Sequence, residues 1–422
     1  MGMKSNNYKN TELGKIPDDW EIKEFQDVMT GFFSGATPYR GRPDYYKGEI
    51  KWITSGELNY NIITDTNEKI NEEAVRNTNL KILPVGTFLF AITGLEAEGT
   101  RGSCAFTGVE ATTNQSCMAL FPKEALDNNY LYHFYVWQGK KLAIKYCQGT
   151  KQQSYTAKIA RTLPIIIPPT KPEQTAIATA LSDADALIEN LEKLIAKKRN
   201  IKKGVMQELF AGRKRLAGFN GKWKEKKLGD MGKTYGGLSG KSKKDFEDGT
   251  HPYIPFLNIL NNPIIDCNFF DYVSLRTEEN QNKVRKGDLF FNGSSETPEE
   301  VGMCSVLLDD IPNLYLNSFC FGFRLFNEEE ASGLYLSYFF RSNEGRKLIY
   351  SLAQGATRYN LSKTNFLKLV LQIPEPKEQV AIAKFLFDMD TEIKSLEHNQ
   401  QKFRVIKQGM MQALLTGKIR LT

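Results

Sequence analysis

Residues 173–216 read EQTAIATALSDADALIENLEKLIAKKRNIKKGVMQELFAGRKRL, and residues 378–421 read EQVAIAKFLFDMDTEIKSLEHNQQKFRVIKQGMMQALLTGKIRL. The two align without a gap and share about half their residues. A common register over that length marks an internal repeat, which settles the architecture before any local motif. Prolines precede each copy, where they suit a helix start, and Glu173 and Glu378 follow in the first turn at the positive end of the helix dipole. Apolar residues recur mostly three, four or seven apart: Ile177, Leu181, Ile188, Leu191, Ile195, Ile201, Val205 and Leu209, then Ile382, Leu386, Ile393, Leu396, Phe403, Ile406, Met410 and Leu414. That spacing predicts one apolar face on each helix. Gly212 and Gly417, set among Lys and Arg, stop the helices. At 1.5 Å per residue each helix is roughly 55 Å long. No small domain needs a helix of that length, so the two faces are expected to bury each other as a coiled coil.

The repeat continues outward from the helices. Residues 13–28 resemble 216–231, with Trp20 matching Trp223, and Gly31–Gly35 matches Gly236–Gly240. LPVGTFLFAITG from Leu83 answers VRKGDLFFNGSS from Val284; in both a glycine marks a turn before an apolar strand. Cys117 falls opposite Cys320, and an aromatic-rich helical stretch and a Gln-Gly loop follow in each half. The expected fold is therefore α+β: two similar globular domains separated by two long antiparallel coiled-coil helices. Residues 1–168 form the first domain, 169–215 the first helix, 216–373 the second domain and 374–422 the second helix. The segment after the first helix resembles the C-terminal tail read on into the N-terminus, so the repeat is circular, as a pseudo-two-fold arrangement requires.

Composition sets bounds. The 422 residues leave room for two or three domains. A net charge of +7 and a pI near 8.8 allow an acidic polymer as partner without requiring one. No apolar run has membrane-spanning length, and the polar start MGMKSNNYKNTELG is no signal peptide. Six scattered cysteines without a CxxC pair point to reduced thiols and a cytoplasmic location, and three distant histidines argue against a metal site.

Motifs of catalysis are missing. Gly240-Lys241-Ser242 has Tyr235 where a phosphate loop needs its first glycine, so it reads as a turn. No dinucleotide-binding glycine motif, nucleophile elbow or amino-methyltransferase tetrapeptide occurs. Asp183, Asp185, Asp388 and Asp390 lie on the long helices and read as solvated or capping. What remains is a binding constellation in duplicate. One turn offers Thr37, Arg40 and Arg42, and its counterpart Lys241, Lys243 and Lys244. One polar segment offers Lys151, Gln152, Gln153, Ser154 and Tyr155, and its counterpart Thr357, Arg358, Tyr359 and Asn360. Gln, Asn and Arg read base edges through paired hydrogen bonds, whereas Lys, Ser and Thr mostly hold phosphates. Arg358, with Gln152 as its positional counterpart, is the foremost candidate for DNA contact.

These residues carry a resemblance. The opening Thr11–Trp20, the turn Gly35-Ala-Thr-Pro38, the glycine strand starts Val85-Gly86-Thr87 and Lys286-Gly287-Asp288, the Glu-Gln helix starts and the helix ends Leu209–Gly212 and Leu414–Gly417 together resemble the specificity (S) subunit of a Type I restriction-modification enzyme. The resemblance covers essentially the whole chain. It departs in the second domain, where Lys241-Ser242-Lys243 replaces Ala36-Thr37-Pro38 and Phe219–Trp223 lacks the proline. It implies two target-recognition domains, each reading one half of a bipartite site on double-stranded DNA. The helices would be spacer and dock for methyltransferase (M) subunits, which restriction (R) subunits join. It implies no catalysis and no cofactor in this chain, with S-adenosylmethionine, ATP and Mg belonging to the partner subunits. A stand-alone DNA methyltransferase or nuclease, and a coiled-coil scaffold that binds only protein, are the alternatives.

Overall fold

The computed structural model describes residues 7–276, 278–355 and 358–421. By contact the chain divides into two units, Met1–Glu192 with Asn399–Thr422, and Lys193–His398. Each holds one globular domain and half of each long helix.

The first unit holds strands β1 (Met29–Ser34), β2 (Ile50–Ile53), β3 (Asn61–Ile63), β4 (Lys69–Ile70), β5 (Phe88–Ala91), β6 (Cys104–Thr107), β7 (Ala111–Thr113) and β8 (Cys117–Pro122). Helix α1 (Asn128–Tyr146) follows, then α2 (Lys171–Phe210). The main sheet has the order β1-β8-β5-β6-β3, antiparallel except for β6 with β3. A second sheet, β7-β2-β4, pairs β2 parallel to β7 and antiparallel to β4. Central strand β5, Phe-Leu-Phe-Ala, is wholly buried. It therefore reads as an unbroken apolar run rather than an alternating one. Its start is a turn in which the Thr87 N–H donates to the Pro84 carbonyl and Gly86 takes φ +82°, a conformation that favours glycine.

The second unit repeats this plan with β9 (Gly232–Gly236), β10 (His251–Ile254), β11 (Asp271–Val273), β12 (Leu289–Asn292), β13 (Cys304–Val306), β14 (Tyr315–Leu316) and β15 (Cys320–Leu325). Helices α3 (Gly333–Arg341), α4 (Asn343–Tyr350) and α5 (Pro376–Leu414) complete it. The sheets run β9-β15-β12-β13 and β11-β10-β14, with the same parallel pairing in the small sheet. Gly287 repeats the left-handed turn at φ +86°. The fifth strand of the first sheet is reduced to one parallel bridge, Ile264 with Val306.

The long helices are 40 and 39 residues and end at Gly212 and Gly417, with φ +67° and +68°. Within each unit the halves run antiparallel. Lys407 pairs with Asp185, and Arg404 with Glu192, in the first; Lys202 pairs with Asp390, and Arg199 with Glu397, in the second. Asp185 and Asp390 are thus ion-pair partners between helices, not merely solvated, because the antiparallel register sets a lysine against each. Ile177, Leu181, Ile195, Leu209, Ile382, Leu386, Ile393 and Leu414 are buried as the periodicity predicts, but Ile201 and Ile406 are 44% and 42% exposed. Ile201 lies six residues beyond Ile195, about 240° around the helix at roughly 100° per residue, and so leaves the packed face.

The Glu-Gln helix starts owe their burial to more than the dipole. Glu173 takes the Arg420 guanidinium, which also reaches Asp19, and the wholly buried Glu378 takes Arg215. Gln174 accepts the Asp127 N–H and Gln379 the Ser332 N–H, tying each helix start to the cap of the helix ahead of it. In the first unit the Tyr8 hydroxyl donates to the Gly417 carbonyl at 3.3 Å, so the C-terminal tail closes on the short strand Tyr8–Thr11.

Candidate nucleic-acid interface

Three loops meet at one end of the first sheet: the glycine turn after β1, the turn between β7 and β8, and the Gln-Gly loop after α1. The Ala36 N–H donates to the Thr113 carbonyl, the Ile92 N–H to the Ser116 carbonyl and the Tyr155 N–H to the Ile92 carbonyl. Gly35 lies so close that an added Cβ would sit 1.8 Å from the Thr113 oxygen. The second unit makes the same junction three residues earlier than the sequence match placed it: Gly237 and Leu238, not Gly240 and Lys241, stand where Gly35 and Ala36 do. Leu238 donates to Leu316, Gly293 to Phe319 and Leu361 to Gly293, and a Cβ on Gly237 would fall 2.0 Å from the Asn317 oxygen. The middle loop is an Asx turn in both units: Asn114 accepts the Ser116 N–H, and Asn317 the Phe319 N–H. The Gln-Gly loops agree too, since a Cβ on Gly149 would meet the Gln152 carbonyl at 2.2 Å and one on Gly355 the Arg358 carbonyl at 2.0 Å. One backbone scaffold thus carries two sets of side chains.

In the first unit the Thr37 hydroxyl bonds the Gln115 side chain, and Ser34 the Gln115 carbonyl. Arg40 is exposed but engaged: it forks onto Glu68 and lies over the Tyr46 ring at 4.2 Å. Those hydrogen bonds hold the Glu68 carboxyl below its usual range. Arg42 is likewise paired, with Asp44 and Glu73. Lys151 and Gln152 are exposed; the Gln153 backbone is held by Glu96 and Leu95, and Ser154 bridges Gln148 and Thr93. Tyr155 is a correction. It is 3% exposed and packs on Phe90, because the chain turns inward there to pair with Ile92, so its ring is core and cannot reach DNA as folded.

In the second unit Lys241 is also corrected. Its side chain is 5% exposed and donates to Glu279 and the Ser274 carbonyl, pulling the Glu279 carboxyl down to about 2. It holds the turn and has no free face for a phosphate. Lys243 and Lys244, on the short helix Lys243–Phe246, are exposed and have no ion pair among the described residues. Thr357 lies outside the described residues. Arg358 is exposed and lies over Phe319, 5.7 Å from its ring centroid. Tyr359 packs on the core, and Asn360 pairs with Ser294 and Gln354.

Gln115 and Phe319 join the constellation although their local sequence gave no sign of function. The available signal was the matched Asn-x-x-Cys spacing, Asn114 to Cys117 and Asn317 to Cys320. Among the described residues no cluster of three or more His, Cys, Asp or Glu is placed to hold a metal, and no helix is long and apolar enough to cross a membrane.

The profile of the Type I restriction modification DNA specificity domain matches residues 17–198 and again 220–403. The chain belongs to that family. Its role is DNA sequence recognition. The MjaVIII specificity subunit of Methanocaldococcus jannaschii is 24% identical over 99% of this chain and 97% of its own length. The MjaIX specificity subunit of the same organism is 28% identical, over 62% of this chain and 63% of the relative, so that match spans less than two thirds of the relative. The crystal structure of a Type I restriction-modification S subunit from M. genitalium shares the fold, with a TM-score of 0.58 at 15% identity over 98% of both chains.

Proposed function

We propose that this chain reads a bipartite DNA site, one half-site per globular domain, and does no chemistry itself. The observation that carries the reading is the duplicated three-loop junction, one scaffold bearing different exposed side chains. Phosphate contacts set affinity and its salt dependence, whereas base-edge contacts set sequence. Lys151, Lys243, Lys244 and Arg358 suit the first task or both. Gln115, Gln152 and Asn360 suit the second, with Thr37, Ser154, Arg40 and Arg42 as supports. Methyltransferase subunits dock on the long helices and supply the S-adenosylmethionine chemistry. Restriction subunits join them with ATP and Mg, beside cytoplasmic DNA.

The test is a domain exchange in the assembled complex. Replacing residues 1–165 with the equivalent domain of a relative should change one half-site in a methylation map and leave the other unchanged. If both half-sites changed, the two-reader arrangement would be wrong. Incubating the purified chain alone with S-adenosylmethionine and genomic DNA should give no methyl transfer; transfer without another protein would overturn the non-catalytic assignment.

A further inference from the structure

Two positions in the junction combine an identical backbone with opposite side-chain chemistry. Phe319 and Ser116 occupy one: each donates its N–H to the Asx turn, and each carbonyl accepts from the residue just after the buried strand, Gly293 or Ile92. Arg358 and Gln152 occupy the other, each with its carbonyl where a Cβ on Gly355 or Gly149 would fall. In the second unit the pair is a ring and a guanidinium in contact; in the first it is a hydroxyl and an amide.

Phe319 is 58% exposed, yet both its backbone polar groups are tied down. A large apolar ring fixed on a recognition loop gains nothing from the free protein's own core. It does fix the planar cation beside it. Arg358 makes no ion pair among the described residues, and its guanidinium carbon lies 5.7 Å from the ring centroid. An arginine held over an aromatic face keeps its donor fork directed while remaining available for an acceptor pair. Guanine O6 and N7 in the major groove are such a pair, and the thymine 5-methyl is the apolar feature of that groove which a ring can cover.

We propose that Phe319 is a specificity-determining residue of the second domain. It works as one unit with Arg358, which takes a guanine while the Phe319 ring packs on the methyl group of an adjacent thymine. The proposal rests on the two-reader function above and goes beyond it by assigning the base step.

The experiment uses the complex with its methyltransferase subunits and the half-site mapped for the second domain. That half-site should contain a guanine next to a thymine. Replacing the thymine by deoxyuridine removes only the methyl, and should weaken wild-type binding by about 3- to 10-fold while leaving Phe319→Ala unaffected. Arg358→Ala should lose about 10- to 100-fold and relax the guanine, within the range of a bidentate base contact. Phe319→Ala should relax both positions, and Phe319→Leu, which keeps an apolar surface, should keep part of the methyl effect. The first half-site in the same methylation map is the internal control for folding and assembly. A second half-site without a thymine–guanine neighbour pair, or equal deoxyuridine effects in wild type and Phe319→Ala, would overturn the proposal with the two-reader function intact. A wild-type complex that recognised neither half-site would instead remove that function.

Discussion

Glu378 shows how much one residue carries. Its side chain is wholly buried at the start of α5, and Arg215, which also lies over Trp223, is its counter-charge. Removing one partner of a buried pair leaves a charge without compensation and costs about 3–5 kcal/mol. We expect Arg215→Ala to lower the second unit's stability by about 3 kcal/mol, the low end of that range, since Arg215 is itself one-quarter exposed. Glu378→Gln on top of Arg215→Ala should recover part of the loss. Denaturant titrations of both variants check this; an additive double mutant would show that the pair does not act as a unit. The glutamate was legible in the sequence as a repeated helix start. Its arginine, 163 positions away, was not.

At the scale of elements, the aromatic helix of each unit touches the long helices through matched polar triads. In the second unit the Tyr338 hydroxyl donates to Asp390, which Lys202 also binds. In the first, His133 replaces the tyrosine. Its Nε2 bonds the Ser182 hydroxyl at 2.9 Å, and its Nδ1 lies 4.0 Å from Asp185, already engaged by Lys407. Burial pushes the His133 imidazole down from 6.5 to about 4; Asp185 and Asp127 favour its protonation and Lys407 opposes it. The unfolded chain therefore takes up a proton near pH 6.5 that the folded one refuses until about pH 4. The share of stability that rests on a neutral His133 is fully present above about pH 6.5, falls as pH drops through that window, and is gone by about pH 4. The difference is on the order of 3 kcal/mol. His133→Asn should flatten the pH dependence of the first unit's unfolding between pH 6.5 and 4. An unchanged slope would assign the acid sensitivity to carboxylates instead.

For the molecule as a whole, the first unit depends on both ends of the chain. Residues 399–421 supply Lys407 to Asp185, Arg420 to Glu173 and Asp19, and Leu414 and Leu415 to the core. The second unit is continuous in sequence. Ending the chain after Leu415 should therefore destabilise the first unit, stranding Glu173, and leave the second unchanged. Calorimetry should show one transition moving down while the other stays, and a single shared shift would contradict independent cores. DNA affinity of the complex should fall steeply with salt while half-site preference stays fixed, because phosphate contacts release counterions and base contacts do not.

The sequence by itself determined the repeat, the two long helices with their glycine stops, the glycine turns before the buried strands and the family. Each rests on a local constraint, helical periodicity or the left-handed backbone that favours glycine, and such constraints are written into neighbouring residues. The sequence also marked the polar loops, but not which of their side chains are free. Tertiary structure decided that. It turned Tyr155 inward, committed Lys241 to Glu279 and Arg40 to Glu68, and set Phe319 beside Arg358 from a loop 39 positions earlier. Whether a charge is spent inside the protein or left for DNA depends on partners that only chain folding brings within reach, and no local pattern encodes that distance.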